Sequence, residues 1–559
     1  MNIKRLSIAI LILIIFLFHF INNILWLQQD GNQALGCESV FHLERAFEIY
    51  NHVKDSSSNY LESLISIKNY PWVSQIRQIS VSNIPSAFAA IGTFLTILFN
   101  LPFLNLPLTN TIYLLPIIVF TYLVGKITRN KKTGLLAAFL VSFYPMIYGI
   151  SRKAAPEIAL TAIVSCAYYF LIKTNNLKSI LYSLLTAITC FLGIIIQPLF
   201  IAFISPGLIH HFYKILRYRD KNIGQKLLNL CICIIIIVMA LFFTYNDNHK
   251  FASVVTDTLK QMHITLTTHS ENFVGNADKA KDELFIFASP NDPCPCTQSA
   301  DRGMNLKCFL FYPVQLIYNI SPFYTILFII GVFFFIKDKK SRNKSLLFIW
   351  TILPYLFLTL LERKWGRFYT PAFPAIAVIT ACGIVNIRNK QIKKIILILI
   401  FIAAFMQFFI YSYHTTPNKP PLSVLTEYMN AHKPLPTNYK LSANKIMQTI
   451  KINNAHTKKL EIGLFDIVKS ANRFSCHWYN DLTYYFRLLL NFYKKTPAQI
   501  ALHWNISASL LDKSNYDFLI ILKDPDYNLD ASLIQSYALL HENILTPANI
   551  LVLTYKKKF

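Results

Sequence analysis

The chain has 559 residues, of which 54% are hydrophobic and 14% aromatic, and its mean hydropathy is +0.40. A water-soluble fold of this size does not need to bury so much apolar surface, so the composition indicates a multi-pass membrane protein. The net charge of +26 would suggest a nucleic-acid partner in a soluble chain. Here much of the basic surplus lies in short loops between apolar segments, the pattern of cytoplasmic loops, which argues against nucleic-acid binding. The basic loops span residues 126–132, 214–226, 337–344 and 388–394.

The first apolar segment, residues 6–27, follows the basic sequence MNIKR and has no small-residue cleavage site. It predicts an uncleaved membrane anchor with the N-terminus inside. A second apolar segment, residues 84–104, contains prolines and a glycine and has no basic flank. If it crossed the membrane, the basic loop at 126–132 would lie outside. We therefore predict that it is an interfacial helix within a long outer loop, residues 28–110.

Ten more spans are predicted along the rest of the hydrophobic region. They lie at about 110–126, 134–151, 156–173, 178–196, 199–214, 227–245, 318–336, 345–361, 371–387 and 395–413. With the first, they make about eleven crossings, and an odd number places the tail opposite the N-terminus. The predicted transmembrane domain is therefore 1–413, with a second large outer loop at 246–317.

The tail, residues 414–559, begins with the Pro-rich linker TTPNKPPL and has shorter apolar runs. The sequences KLEIGLF, YDFLIIL and ILVLTY predict strands at 459–465, 516–522 and 550–555, and residues 481–493 and 533–542 are helix-like. We expect a small soluble α/β domain on the outer side. It would be structural or would recognise an acceptor.

Three cysteines in the second outer loop, Cys294, Cys296 and Cys308, follow a C-x-C…C pattern. A disulfide from Cys294 or Cys296 to Cys308 is compatible with an oxidising compartment. A zinc site is the weaker alternative, because no fourth ligand is apparent nearby. The sequence does not decide the pairing.

Polar and ionisable side chains from separate segments collect at the predicted outer face. They are Glu38, His42, Arg152, Lys153, Glu157, Gln197, Arg363, Lys364, Arg367 and Tyr369. A carboxylate beside low-dielectric material has its pKa raised towards that of a working base, and Arg offers a fixed fork to phosphate oxygens. Taken singly, these residues are compatible with interfacial charges, snorkelling anchors, a helix cap or an ordinary amphipathic helix. Together, however, they place basic residues on the outer side, whereas the other loops keep them on the cytoplasmic side. This exception favours a functional site.

The order of these segments resembles a known family. An anchor, the motif Glu38-x-x-x-His42 opening a long outer loop, the turn SRKAAPE and the basic turn ERKWGRFYTP occur in this order. The chain resembles the GT-C membrane glycosyltransferases over residues 1–413, especially the bacterial protein O-mannosyltransferase-like and lipid A aminoarabinose transferase branch. The resemblance agrees with the fold that the apolar segments predict, an α-helical polytopic membrane protein of about 11 transmembrane helices with a small α/β C-terminal extracytoplasmic domain, although it covers the tail only by position.

The resemblance also implies roles for the carboxylates. Glu38 falls where the family keeps its catalytic Asp, His42 falls at the aromatic or His position four residues later, and Glu157 falls at the second outer carboxylate. Glu157 would orient another group or bind a metal. Glu in place of Asp lengthens the carboxylate by one methylene, roughly an ångström, which shifts the acceptor or signals lost activity.

The basic positions are implied to bind the donor phosphate. Arg367 and Tyr369 match the family's phosphate-contacting positions, with Arg363 or Lys364 completing a clamp. Gln197 falls where some members carry a Lys, so one phosphate charge is missing. Arg152 and Lys153 belong to the same candidate group.

The implied reaction moves a sugar from a polyprenyl-phosphate donor to an acceptor hydroxyl of a lipid, glycan or protein, with inversion. The carboxylate would act as base, and the cations would stabilise the departing phosphate. Whether a divalent metal ion takes part is open, as are the sugar and the acceptor. The expected location is a bacterial inner membrane among its lipids, with the tail periplasmic. The alternatives are a catalytically inactive scaffold of the same fold and a lipid or solute transporter, which would more often show internal symmetry.

Overall fold

The structure is a computed structural model with side chains. It describes residues 3–28, 106–152, 155–217, 223–244, 306–360, 366–413, 439–452, 460–467, 498–503, 516–523, 537–545 and 550–557. The predicted interfacial helix at 84–104, the helix-like stretch at 481–493 and the cysteines Cys294 and Cys296 lie outside these residues. Two compact units divide the chain. One holds the helices up to Tyr413, with the first helix as far as Asn23, and the other holds the elements from Tyr439 onwards.

The first unit is helical in the part that the structure describes. Its helices are α1 (Ile3–Gln28), α2 (Leu106–Ile112), α3 (Leu114–Thr128), α4 (Lys131–Ser142), α5 (Pro145–Ile150), α6 (Pro156–Lys173), α7 (Ile180–Ile196), α8 (Phe200–Arg217), α9 (Ile223–Thr244), α10 (Leu306–Ile320), α11 (Pro322–Lys337), α12 (Lys344–Thr359), α13 (Phe373–Asn386) and α14 (Lys390–Tyr413). A 3₁₀ helix, Gly366–Ala372, leads into α13. Every predicted span overlaps one of these helices, which confirms a polytopic α-helical membrane protein.

Within the described residues, length and hydropathy qualify five segments as spans. These are Ser7–Trp26, Leu108–Thr128, Pro156–Lys173, Gly366–Asn386 and Lys390–Ile410. Phe309–Ile320 and Pro322–Lys337 would form a sixth, bent by 114° at the break between them. The remaining predicted spans coincide with shorter or interrupted helices.

The predicted span 134–151 is not one continuous helix. It is divided between α4 and α5 at Phe143 and Tyr144, and Pro145 is the first residue of α5. Proline disfavours helical dihedrals in the residue before it, and Tyr144 is extended, with φ −67° and ψ 125°. The prediction missed this helix boundary because the residues on both sides of Pro145 are apolar.

Small residues let two pairs of helices approach closely. A Cβ at Gly383 on α13 would lie 2.1 Å from the carbonyl oxygen of Gly331 on α11. Where α3 meets α4, a Cβ at Gly125 would lie 2.9 Å from Cα of Gly134. Backbone contact of this kind is common between membrane helices, because lipid provides no hydrophobic drive for helix association.

One end of the bundle is tied together around Arg129, and we call it the Arg129 end. Arg129 Nη1 lies 3.2 Å from Asp338 Oδ2 and donates to the carbonyl of Cys382 at 2.6 Å, and its Nη2 donates to Asn386 Oδ1 at 3.2 Å. The amide of Arg342 also donates to the carbonyl of Thr128 at 2.8 Å. The turns after α3, α11 and α13 therefore meet at the same end. For three of the four basic loops, this agrees with the prediction that they share a face.

The second unit contains helix α15 (Tyr439–Ile452) and a five-stranded sheet. The strands are β1 (Leu460–Ile467), β2 (Ala498–His503), β3 (Phe518–Lys523), β4 (Tyr537–Leu545) and β5 (Ile550–Lys557). Their order is β2-β1-β3-β5-β4, with β2, β1 and β3 parallel and β5 antiparallel to both β3 and β4. The predicted small α/β fold and its three strands are confirmed.

The helix-like assignment of residues 533–542 was wrong for its C-terminal half. Residues from Tyr537 belong to β4, which pairs with β5 through a register shift between Leu539 and His541. The local sequence ALLHE favours a helix. Antiparallel pairing with β5 overrides that preference, because strand propensity depends on cross-strand partners.

Candidate functional site

The opposite end of the bundle holds the described candidate residues, and we call it the Arg152 end. It is formed by the residues after α5, the first turn of α6, the last residues of α7 and the 3₁₀ helix. Helix α13 follows the 3₁₀ helix directly and ends at Asn386, which contacts Arg129, so the length of α13 separates the two ends. The predicted common sidedness of Arg152, Glu157, Gln197 and Arg367 agrees with this arrangement.

Glu157 and Arg367 form an ion pair at the Arg152 end. Glu157 Oε1 lies 2.9 Å from Arg367 Nε. The Glu157 side chain is only 1% exposed, whereas that of Arg367 is 25% exposed. Glu157 lies in the first turn of α6, next to Pro156, where the helix dipole favours a negative charge. The structure therefore brings together two residues that the sequence placed in separate motifs.

The 3₁₀ helix that carries Arg367 is held at several points. Asn319 Nδ2 on α10 donates to the carbonyl of Gly366 at 3.0 Å, and Trp350 Nε1 on α12 donates to that of Pro371 at 3.0 Å. Thr370 Oγ1 donates to the carbonyl of Arg367 itself at 2.7 Å. Such support fixes the backbone from which the guanidinium extends.

Helix α10 reaches the 3₁₀ helix because the chain bends sharply before α11. The bend is at Ser321, which has a φ of 79° and is buried. Gln407 Nε2 on α14 donates to Ser321 Oγ at 2.9 Å. A positive φ is uncommon for a residue other than glycine, so the bend is a specific feature of this chain.

Tyr369 lies inside the bundle. Its hydroxyl donates to the carbonyl of Thr351 at 2.9 Å, and its ring contacts Tyr312 and Phe373 with centroid distances of 5.8 and 6.1 Å. The side chain is 7% exposed. In this structure the Tyr369 hydroxyl donates its proton to a backbone carbonyl inside the bundle. Its contact with the donor phosphate stays a prediction.

Arg152 is fully buried, with 0% of the residue exposed. Its Nε donates to Asn23 Oδ1 on α1 at 2.8 Å. Its Cζ lies 5.3 Å from the ring centroid of Tyr148 and 5.2 Å from that of Phe408. An interfacial charge would lie in the solvent or headgroup region, so burial excludes that alternative for Arg152. A buried arginine near the membrane end is instead a candidate functional residue.

Asn23 is a site neighbour that the sequence analysis missed. Its Nδ2 donates to Thr111 Oγ1 on α2 and to Ser151 Oγ after α5, both at 2.9 Å. It lies inside the apolar anchor, which was assigned only a membrane-spanning role. The available signal was His19 and Asn23, two polar residues four positions apart on one face of a predominantly apolar helix.

Gln197 is the C-cap residue of α7. Its amide donates to the carbonyl of Gly193 at 2.9 Å, and its own carbonyl accepts from the amide of Phe200 at 2.9 Å. Its side-chain Oε1 is buried and accepts no hydrogen bond from the described residues. Gln197 therefore does cap a span, as the alternative expectation held, and its role towards the donor stays a prediction.

Five predicted site residues lie outside the described residues: Glu38, His42, Lys153, Arg363 and Lys364. Of the cysteines in the suggested disulfide or zinc site, only Cys308 lies within a described helix, α10. Among the residues with described positions, no group of three His, Cys, Asp or Glu side chains could hold a metal ion.

Two family models match the sequence. The dolichyl-phosphate-mannose-protein mannosyltransferase model matches residues 50–250, and the Alg9-like mannosyltransferase family model matches residues 306–458. Together they include the segments that carry Arg152, Glu157, Gln197, Arg367 and Tyr369.

A solved structure covers nearly the whole chain. ArnT from Cupriavidus metallidurans bound to undecaprenyl phosphate superposes with a TM-score of 0.57 at 11% identity, covering 99% of this chain and 98% of that one. The chain shares the fold of this enzyme. The apo structure of the same enzyme gives a TM-score of 0.56 at 12% identity, with the same coverage. The predicted resemblance to GT-C glycosyltransferases is confirmed by the fold and by both mannosyltransferase models.

An uncharacterized protein of Aquifex aeolicus (strain VF5) is also similar to this chain. The two are 23% identical over 285 residues, which are 51% of this chain and 49% of the other. The chain thus spans about half the length of the curated relative that it matches.

Proposed function

We propose that this GT-C protein transfers a sugar from a polyprenyl-phosphate donor to an acceptor hydroxyl at the outer face of the membrane. The observation that carries the proposal is the collection of two arginines, Arg152 and Arg367, at one end of the bundle, with one guanidinium buried and the other paired to Glu157. Guanidinium groups stay charged in a low-dielectric site and bind phosphate oxygens through a rigid fork. One matching family model is named for a dolichyl-phosphate-mannose donor, which supports the same chemistry.

In the proposed reaction, Glu38 accepts the proton of the acceptor hydroxyl while the oxygen attacks the anomeric carbon. The bond between that carbon and the phosphate oxygen breaks, and its electron pair stays on the phosphate. The product is the glycosylated acceptor, and polyprenyl phosphate leaves with one more negative charge. A single displacement inverts the anomeric centre. Arg152 and Arg367 would stabilise the charge that develops on the leaving phosphate.

Glu157 fits the role of orienting Arg367. The carboxylate is buried and its Oε1 is 2.9 Å from Arg367 Nε. A charged residue buried beside its partner loses much of its freedom to move, so the ion pair restricts the direction of the guanidinium. The contact favours this role over metal ligation, because a cation already lies beside Oε1.

We propose that the Arg152 end faces outwards and that the Arg129 end faces the cytoplasm of a bacterial cell. The basic loops at 126–132, 337–344 and 388–394 lie at the Arg129 end, and such loops are retained inside. The Arg152 end would then face the compartment where lipid-linked sugars, and not nucleotide sugars, are the available donors.

Thiol labelling can test this orientation. Lys340, in the turn after α11, and Lys445, on α15, are exposed. In intact cells, an impermeant thiol reagent is expected to label Lys445→Cys above the wild-type background. It should label Lys340→Cys only after permeabilisation. Labelling of Lys340→Cys in intact cells would contradict the proposed orientation.

A second test concerns Arg367. If Arg367 binds the donor phosphate through two nitrogens, Arg367→Lys should lower transfer at least tenfold, almost as much as Arg367→Ala. A point charge does not reproduce the fork, and losing a charged hydrogen-bond partner at a desolvated site costs on the order of 2–5 kcal/mol before allowance for the partial exposure of Arg367. The measurement is transfer from a defined polyprenyl-phosphate sugar in proteoliposomes.

Arg217→Ala is the matched control for this experiment. Arg217 is the exposed last residue of α8, and its Nη1 contacts Tyr213 on the same helix. Its removal should leave transfer unchanged. If Arg367→Lys also transferred at the wild-type rate, Arg367 would be an interfacial anchor and not a phosphate ligand.

A further inference from the structure

We propose that Asn23 is a positioning residue, which orients the Arg152 guanidinium towards the donor phosphate without neutralising its charge. The proposal rests on the function proposed above. Asn23 Oδ1 accepts from Arg152 Nε at 2.8 Å, and both residues are 0% exposed. Because a guanidinium is planar and rigid, fixing the direction of Nε also fixes the directions of its two terminal nitrogens.

The surroundings of Asn23 determine which way its amide faces. Thr111 Oγ1 donates to the carbonyl of Ser151 at 3.2 Å, and Ser151 Oγ donates to that of Tyr148 at 2.7 Å. Both hydroxyl oxygens are therefore left to accept from Asn23 Nδ2. The guanidinium can only donate, so Oδ1 must face Arg152. The network sets one orientation of the amide, and the amide sets one orientation of Arg152.

Aromatic rings hold the guanidinium from other directions. Tyr148 and Phe408 lie within 5.3 Å of Arg152 Cζ, measured to the ring centroids. His19, one turn before Asn23 on α1, contacts the same two rings with centroid distances of 6.4 and 5.4 Å. One face of α1 thus supports Arg152 both directly, through Asn23, and indirectly, through the rings that His19 packs against.

The neutrality of Asn23 matters for an anionic ligand. A carboxylate at this position would also accept from Arg152 Nε, but it would form an ion pair, as Glu157 does with Arg367, and would offset part of the positive charge that attracts phosphate. An amide gives the same acceptor and leaves the full positive charge on Arg152. A buried polar residue is costly within an apolar span, and such residues commonly have a functional role.

The test is a double-mutant cycle on donor-site binding. The full-length protein in detergent is titrated with undecaprenyl phosphate, and the wild type is compared with Asn23→Ala, Arg152→Ala and the double variant. We expect Asn23→Ala to raise Kd about tenfold. In the Arg152→Ala background it should have no further effect, because Asn23 acts through Arg152. A general structural role would give additive effects, and that result would overturn the proposal.

Asn229→Ala is the matched control. Asn229 on α9 is also fully buried, and its Nδ2 donates to the carbonyl of Leu177, in the turn between α6 and α7 at the other end of α6 from Glu157. Its loss should lower thermal stability, as the loss of one buried hydrogen bond does, while leaving Kd unchanged. A change in Kd at Asn229→Ala equal to that at Asn23→Ala would also overturn the proposal.

A second variant covers the case in which Asn23→Ala does not fold. Asn23→Asp keeps the acceptor for Arg152 Nε but adds the cancelling charge, so we expect it to fold and to bind undecaprenyl phosphate more weakly. Wild-type affinity in Asn23→Asp would overturn the inference.

If Arg152→Ala itself left Kd unchanged, the placement of Arg152 in the proposed donor site would fail. If Arg152→Ala weakened binding and both Asn23 variants did not, only the inference about Asn23 would fail.

Discussion

Replacement of Glu38 by Gln is expected to lower sugar transfer by about 10²–10⁴-fold while leaving folding and donor binding intact. Glutamine keeps the size and most of the hydrogen bonding of the carboxylate, but it cannot accept the acceptor's proton. Transfer is measured from a defined polyprenyl-phosphate sugar, and donor binding is measured separately. A loss of transfer without a loss of binding would identify a group that acts in the chemical step.

Glu38→Asp introduces the residue that the GT-C family keeps at this position. Because the variant still has a carboxylate, it should retain more activity than Glu38→Gln. His42→Ala should weaken turnover without abolishing it, because His42 is expected to orient groups near the acceptor. Glu542→Gln, at an exposed position on β4, removes a carboxylate from the second unit and serves as control. If Glu38→Gln transferred sugar at the wild-type rate, Glu38 would not be the base. The next candidates would then be Asp30 and Glu44. If the wild type itself showed no transfer, an inactive scaffold would be the better explanation.

Gly383→Ala is expected to cause a large loss of folded protein. The new Cβ would lie 2.1 Å from the Gly331 carbonyl oxygen and 2.5 Å from its Cα, so α11 and α13 must move apart. Overpacking a core typically costs about 1–3 kcal/mol, and here the obstacle is backbone, which cannot rotate away as a side chain does. Helix α13 is buried along most of its length, which leaves little room for a shift.

The measurement for Gly383→Ala is the yield of monodisperse protein in detergent and its thermal unfolding temperature. Gly224→Ala is the matched control, since a Cβ there meets no atom of the described residues within 4 Å. It lies in the first turn of α9, where alanine favours helix formation, so its stability should be unchanged or slightly higher. If Gly383→Ala were as stable as Gly224→Ala, the close crossing of α11 and α13 would be incorrect.

The helices of the first unit were predictable because each crossing leaves a long apolar run. The predicted span at 156–173 coincides with α6, Pro156–Lys173. That the basic loops lie on one side was also predictable, because the distribution of basic residues can be read from the sequence alone. The contacts of Arg129 with Asp338 and Asn386 agree with this prediction. Hydropathy did not reveal the break before Pro145, since the residues on both sides of it are apolar.

Non-local pairings were not predictable from these patterns. Tyr537–Leu545 becomes a strand only because β5 follows and pairs with it. In the same way, the motifs identified Glu157 and Arg367 separately, but only the packing of α6 against the 3₁₀ helix makes them an ion pair. Asn23 was missed for a related reason. Its partners Thr111, Ser151 and Arg152 come from segments far along the chain, so a window over the anchor shows a few polar residues in an apolar run and not the contacts that they make.

The ties around Arg129 also affect where this protein can be tagged. Asp338 is 2% exposed, accepts from Ser341 Oγ at 2.6 Å and contacts Arg129, while the Arg342 amide donates to the Thr128 carbonyl. An affinity tag or fluorescent protein inserted between Asp338 and Asn343 would separate these partners and loosen several helical hairpins at once. At Gly224, near the start of α9, an added Cβ meets none of the residues that the structure describes, so an attachment point there should leave the bundle intact.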